Sequence, residues 1–265
     1  MRRFLMGCWG CALLAILGSH RAAATAEPEI GTTIAVKNQV MVAADQDKRR
    51  LRKGGKLHQN EVVETARSAS AEIQLLDDTK LAVGPSARVV LDKFVYDASA
   101  ATGSGAIAVN LSKGAFRFIS GKSPSQAYEI RTPTASMGVR GTVFDVFVAA
   151  NGETAVLLHE GAVDVCATPS NCRRHNTIGR VVHVNLQRLV SLPLQWDGSF
   201  MRGIGVATAF PFVGRTLAID PVRRLRRADL LAPATRATRA LTKPVEGATK
   251  VPERIRRSLP IRPPF

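Results

Sequence analysis

Thr142-Val143-Phe144-Asp145-Val146-Phe147-Val148, with Asn151-Gly152 after it and then Thr154 to Leu158, is the stretch that decides the fold class. Side chains alternate across a strand, so Val143, Asp145 and Phe147 share one face and Phe144, Val146 and Val148 the other. Asn-Gly supplies the positive φ that a tight hairpin turn requires. The chain therefore turns back on itself, and Thr154–Leu158 is the returning strand. His159-Glu160-Gly161 reads as the next turn, solvated, with Ala162-Val163-Asp164-Val165 as the strand beyond it.

Outward from this hairpin the pattern repeats. Ala71-Glu72-Ile73-Gln74-Leu75 alternates apolar and polar residues, Asp77-Asp78-Thr79 turns, and Lys80-Leu81-Ala82-Val83 follows. Gly84-Pro85-Ser86 breaks the chain before Val89–Leu91 and Phe94–Tyr96. Ala106–Leu111 and Ala115–Ile119 read as two strands separated by Ser112-Lys113-Gly114. Thr32–Val36 and Val40–Val42 open the series. Short strands at such spacing, with turn residues between them, predict an all-β domain over residues 30–195. No segment there sustains a helical apolar period, no GxxxxGK[ST] occurs and no GxGxxG opens a helix, which argues against a mixed α/β nucleotide fold.

The two ends differ from this middle. Arg2 and Arg3, the mostly apolar run Phe4–Leu17 and Ala24-Thr25-Ala26 read together as a signal peptide over residues 1–26. The protein is thus expected to be exported, periplasmic or secreted. The formal charge is +16, and residues 200–265 hold 14 Lys and Arg against 4 Asp and Glu, together with 8 of the 14 Pro. Residues 196–265 are therefore expected to be a basic, Pro-rich and largely disordered tail. Arg223, Arg224, Arg226 and Arg227 are its densest cluster and its candidate anion contacts, and an anionic membrane surface is the partner they suit. A second reading keeps Phe210, Phe212, Val213, Leu217 and Ile219 docked on the β domain. Lys48 to Lys53, a second basic run, reads as a solvated loop.

Thr132-Pro133-Thr134-Ala135-Ser136-Met137-Gly138-Val139-Arg140-Gly141-Thr142-Val143-Phe144 closely resembles the T-P-x-A-x-x-G-V-R-G-T-x-F signature of FecR-type domains. Leu51–Thr65, residues 71–96 and Glu160-Gly161-Ala162-Val163 resemble the flanking segments of that family, so the likeness spans roughly residues 30–170. The resemblance implies an extracytoplasmic all-β domain, solenoid-like or sandwich-like, built of short, mainly antiparallel strands. In the family's best-known members this domain belongs to a membrane-spanning anti-sigma regulator. The signature positions Thr132, Pro133, Ala135, Gly138, Val139, Arg140, Gly141, Thr142 and Phe144 read mostly as architecture. The two glycines around Arg140 suit a tight corner. Arg140 reads either as a tie to a carboxylate such as Asp145 or as an anion handle.

Cys166 and Cys172 flank a turn-rich loop, and in an oxidising compartment they read as a disulfide. Their spacing with His175 and His183 matches no tetrahedral zinc site. No catalytic or metal-binding residue is assigned and no cofactor is expected: there is no HExxH, no GxSxG and no paired carboxylates at a recognisable pocket. Groove-reading motifs are lacking too, so no specific nucleic acid is expected. The function these features suggest is an exported, non-enzymatic binding or scaffolding module whose partner is a protein or a cell-envelope polymer. The alternative is an extracytoplasmic signalling component, of the iron-uptake or envelope-stress type, acting through a membrane partner. N-terminal sequencing of the exported protein should begin at Glu27; a chain beginning at Met1 in the inner-membrane fraction would make the first segment an anchor.

Overall fold

The structure, a computed structural model, describes residues 27–44, 47–96 and 105–231. The expected signal peptide and residues 232–265 of the expected tail lie outside the described residues. Fourteen strands run in chain order among those described: β1 (Glu29–Lys37), β2 (Val40–Ala44), β3 (Asp47–Arg50), β4 (Lys56–His58), β5 (Val62–Thr65), β6 (Ser70–Leu75), β7 (Lys80–Val83), β8 (Arg88–Val95), β9 (Ala106–Ile119), β10 (Tyr128–Arg131), β11 (Ser136–Val148), β12 (Thr154–Thr168), β13 (Asn171–His175) and β14 (Val181–Val184). The all-β expectation holds.

Three long strands make the sheet fold over on itself. β9 pairs through residues 114–119 with β11, and through residues 106–113 with β8. β11 pairs through its first residues with β10 and through residues 143–148 with β9. β12 follows β11 along its length, while its far side takes β14 near Thr154 and β13 near Thr168. One run of strands is thus β4-β1-β6-β7-β9-β11-β12-β14. The other is β3-β2-β5-β8-β9-β10-β11-β12-β13. Each long strand belongs to both.

Two expected turns are therefore bends within strands. Ser112-Lys113-Gly114 does not separate two strands, because Gly114 at φ 100° bends β9 without ending it. Neither is His159-Glu160-Gly161 a solvated turn; β12 passes through it with a register shift opposite Arg140–Val143. Glycine gives strand-like chains this freedom because it has no Cβ. At Gly114 the space is also occupied: a Cβ there would lie 2.4 Å from that of Ala87. The basic run 48–50 is likewise not a loop but the exposed edge strand β3, with Arg49 tied to Glu61 at 2.7 Å.

The two runs enclose one core. Ile73, Leu81, Phe116, Phe118, Phe144 and Val146 come from the first, and Val42, Val63, Leu91, Ile107, Met137 and Val165 from the second. Thr142–Val148 is buried along both faces, although an alternating strand ordinarily leaves one face to water. The second face is covered by residues 196–231, and here the expectation of an unpacked tail is corrected. Trp196, Met201, Phe210 and Val213 pack on Phe147, Ala155 and Leu157, and Phe212 and Ile219 pack on Ala82. Trp196 meets Phe210 edge-on at 5.0 Å. Two short helices punctuate the segment, α1 (Val206–Ala209) and α2 (Arg227–Leu231). Proline prevents long helices here, but irregular chain carrying large apolar side chains can still bury them.

Phe210→Ala should therefore cost about 3–5 kcal/mol, the loss expected for a truncated core aromatic. Urea unfolding measures it, and a change within error would mean that the segment does not contribute to the fold.

Candidate functional site

Arg117 on β9 and Asp145 on β11 face each other across the two strands in register. Each interrupts an apolar run, Phe116-Arg117-Phe118 and Phe144-Asp145-Val146, and each points to the face covered by residues 196–231. Two parallel hydrogen bonds join them: Arg117 Nε donates to Asp145 Oδ1 at 2.6 Å and Nη2 to Oδ2 at 2.9 Å. The two side chains are 2% and 1% exposed, so water does not screen the pair. His159 on β12 adds Nε2 at 3.0 Å from Asp145 Oδ2 and 3.1 Å from Arg117 Nη2.

The covering segment closes this cluster. Asp220 approaches Arg117 Nη1 at 3.4 Å, and Phe212 lies over the guanidinium with its ring centre 5.9 Å away. Arg224 extends the chain of charge by pairing with Asp220 at 3.2 Å and with Glu160. The backbone N–H of Ile219 donates to Glu72 at 3.0 Å. Burial alone would push the Asp145 carboxyl up, but His159 and Arg117 outweigh it and hold the group at about 2. Burial likewise opposes the charge on Arg117, and Asp145 and then Asp220 overcome it and raise the pKa. A permanently charged, doubly paired arginine is not poised to exchange protons. The arrangement is a lock between sheet and cover.

The other sequence-singled residues are also built into architecture. The Thr132 hydroxyl accepts from Ala135 N–H at 3.0 Å and closes the turn after Pro133. Thr134 and Thr154 join that turn to the β11–β12 hairpin at 2.9 Å. Gly141, at φ 51°, lies where the β11–β12 register shifts, and the Thr142 hydroxyl donates to Ala162 O at 2.6 Å. Val139 and Phe144 are core residues, while Gly138 has open space at its Cα. The side chain of Arg140 lies outside the described residues; Asp145, its suggested partner, is held by Arg117 and His159. Asp77, within the second resembling segment, accepts from Thr79 and from the Tyr128 hydroxyl at 2.8 and 2.9 Å. Burial pushes Tyr128 up to about 12.

Cys166 and Cys172 are opposite in the β12–β13 hairpin and are bonded, with an S–S distance of 2.06 Å. His175 is buried with Nε2 at 2.9 Å from Arg180 O, and burial lowers its pKa to about 4. No group of metal-ligating side chains converges among the described residues. Of the four tail arginines, Arg224 is committed to Asp220 and Glu160, which removes it as an anion contact. Arg226 lies 3.7 Å from Asp229, and Arg223 and Arg227 remain exposed. Sequence reasoning missed Arg117 and Asp220. The signal for Arg117 was present: opposite charges at the centres of two apolar strands need each other.

Residues 61–164 match the family model described as FecR protein. These residues form a FecR domain. The family is regulatory rather than enzymatic. Arg117, Asp145 and His159 lie inside the matched FecR region, whereas β13, β14 and the covering segment lie beyond it. Two crystal structures of a "putative anti-sigma factor" from Parabacteroides distasonis ATCC 8503 are similar to this chain at 17% and 18% identity, with TM-scores of 0.37 and 0.36. Each match covers 47% of this chain and 54% of the other, so the chain spans about half the length of those structures. The chain matches no curated protein at a significant level.

Asp145 makes stability depend on acid in a defined direction. Its folded carboxyl titrates at about 2 against an ordinary 3.8, so the stabilisation is complete above that ordinary value and is lost as pH falls towards 2. The contribution is on the order of 2 kcal/mol. Asp145→Asn should remove that acid limb and cost about 3–5 kcal/mol at neutral pH by leaving Arg117 short of a partner. Urea titrations at several pH values measure both effects, and parallel acid limbs for the two proteins would exclude Asp145 as their source.

Proposed function

We propose that the chain is an exported, non-enzymatic protein-binding module that serves signalling in the bacterial cell envelope. The observation that carries this reading is the FecR match over residues 61–164. The geometry is in keeping with it, since Arg117, Asp145 and Asp220, the charges buried beneath the covering segment, are spent on one another. Export draws on the sequence features of residues 1–26. A second reading, attachment to anionic envelope surfaces, is favoured by the composition of residues 232–265, which carry 8 Lys and Arg against 2 Asp and Glu. Such attraction would weaken with salt as the Debye length falls to about 8 Å.

Deleting the gene from its host and restoring it separates these readings. Transcripts answering an extracytoplasmic stimulus, such as iron limitation or envelope stress, should change on deletion and return with the full chain. An unchanged transcriptome under both stimuli would overturn the regulatory reading. A chain ending at residue 231 that restores the response fully would remove any role for the basic segment in it.

A further inference from the structure

The covering segment also builds a cleft. Ala207, Thr208 and Pro211 pass the bend of β9 and face the Pro85-Ser86 turn across a space of about 600 Å³, with Ala150 beside them. That volume lies within the range of ordinary ligand sites, about 300–1,000 Å³. The apolar surface comes from exposed or half-buried Pro85, Ala150, Ala207 and Pro211. Arg67 and Lys113 stand at its margin, and both are exposed.

Arg49, Arg88, Lys122 and Arg131 each have a carboxylate partner. The side chains of Arg67 and Lys113 make no hydrogen bond or ion pair with another described residue, and no acidic side chain lines the cleft. Cations such as Lys37, Lys48, Lys93 and Arg174 are likewise without a carboxylate partner among the described residues, but Arg67 and Lys113 are the two that line this cleft. The hydroxyls of Ser86 and Thr208 in the same lining are also without a partner among the described residues. The cleft therefore offers donors and positive charge around an apolar centre. The chain's own residues 232–265 are basic and would be repelled. A second copy of so basic a chain is disfavoured for the same reason.

We propose that this cleft binds an acidic segment of a protein partner, seating an apolar side chain among Pro85, Ala150, Ala207 and Pro211 and pairing carboxylates with Arg67 and Lys113. The proposal rests on the reading of the chain as a protein-binding module. It names the chemistry of the partner: a short extended stretch in which Glu or Asp flanks Leu or a residue of similar size. The cleft opens to solvent, which suits a peptide laid across it better than an enclosed small molecule.

The test uses the full chain and a fluorescein-labelled peptide alternating Glu with Leu, with Gln-for-Glu and Lys-for-Glu peptides as controls. Arg67→Glu/Lys113→Glu should weaken binding of the acidic peptide about tenfold and improve that of the Lys peptide. Lys93→Glu/Arg174→Glu makes the same change of net charge away from the cleft and should have little effect. All four residues are exposed, so thermal melts should remain those of the parent. Equal losses in the two variants would reduce the binding to non-specific attraction and overturn the proposal. So would equal affinity for the Gln peptide, or displacement of the acidic peptide by decanoate at lower concentrations than by unlabelled peptide. In the host, full restoration of the transcriptional response by Arg67→Glu/Lys113→Glu would also overturn it while leaving the regulatory reading intact. Cleft-specific binding in a host whose transcripts ignore the deletion would support the cleft and defeat the regulatory reading instead.

Discussion

The pairing of Arg117 with Asp145 is the constraint from which the rest of the arrangement follows. Two opposite charges sit in the middle of adjacent apolar strands, on the face turned away from the main core. Left open to water, that face would expose Phe147, Ala155 and Leu157 around the pair. Once covered, it must satisfy a guanidinium with more donors than one carboxylate can accept. The covering segment meets both needs, with Phe210, Phe212 and Val213 for the apolar surface and Asp220 for the remaining donor. Apolar burial supplies the driving force, and the charges fix which residues lie over which.

The bends of β9 and β12 make this possible. A strand that stopped at Gly114 or Gly161 would give two separate sheets joined by loops. A strand that bends there remains hydrogen-bonded through the corner, so each long strand carries one end into each layer. The FecR signature sits at comparable places: Thr132 and Ala135 close a turn, and Gly141 and Thr142 occupy the register shift of β11. Their roles are backbone conformation and turn closure.

On the proposed reading, the chain presents a surface to a partner. Arg117, Asp145 and Asp220 satisfy one another under the cover, and two unpaired cations, Arg67 and Lys113, border the cleft that the covering segment helps to build. The same addition beyond the FecR-matched region thus stabilises one face of the sheet and shapes a recognition surface. Fold and proposed function are linked by that segment: without it the cleft has one wall.

Strand periodicity, the Asn-Gly turn and the cysteine pair in a turn-rich hairpin were legible in the sequence because they are local. Alternation over residues 142–148 identifies two faces without any partner being known, and the resemblance to FecR domains was carried by contiguous motifs. What the sequence could not reveal was the destination of the second face. Alternation looks the same whether that face meets water or another segment, and the proline and charge content of residues 196–231 argued for solvent. Asp220 meets Arg117 across 103 positions, a contact with no periodic signal. Gly114 and Gly161 were equally ambiguous, since glycine marks a turn and a bent strand alike. Only the tertiary structure decided these points, because continuity through a bend and the burial of a charge depend on residues far away in the chain.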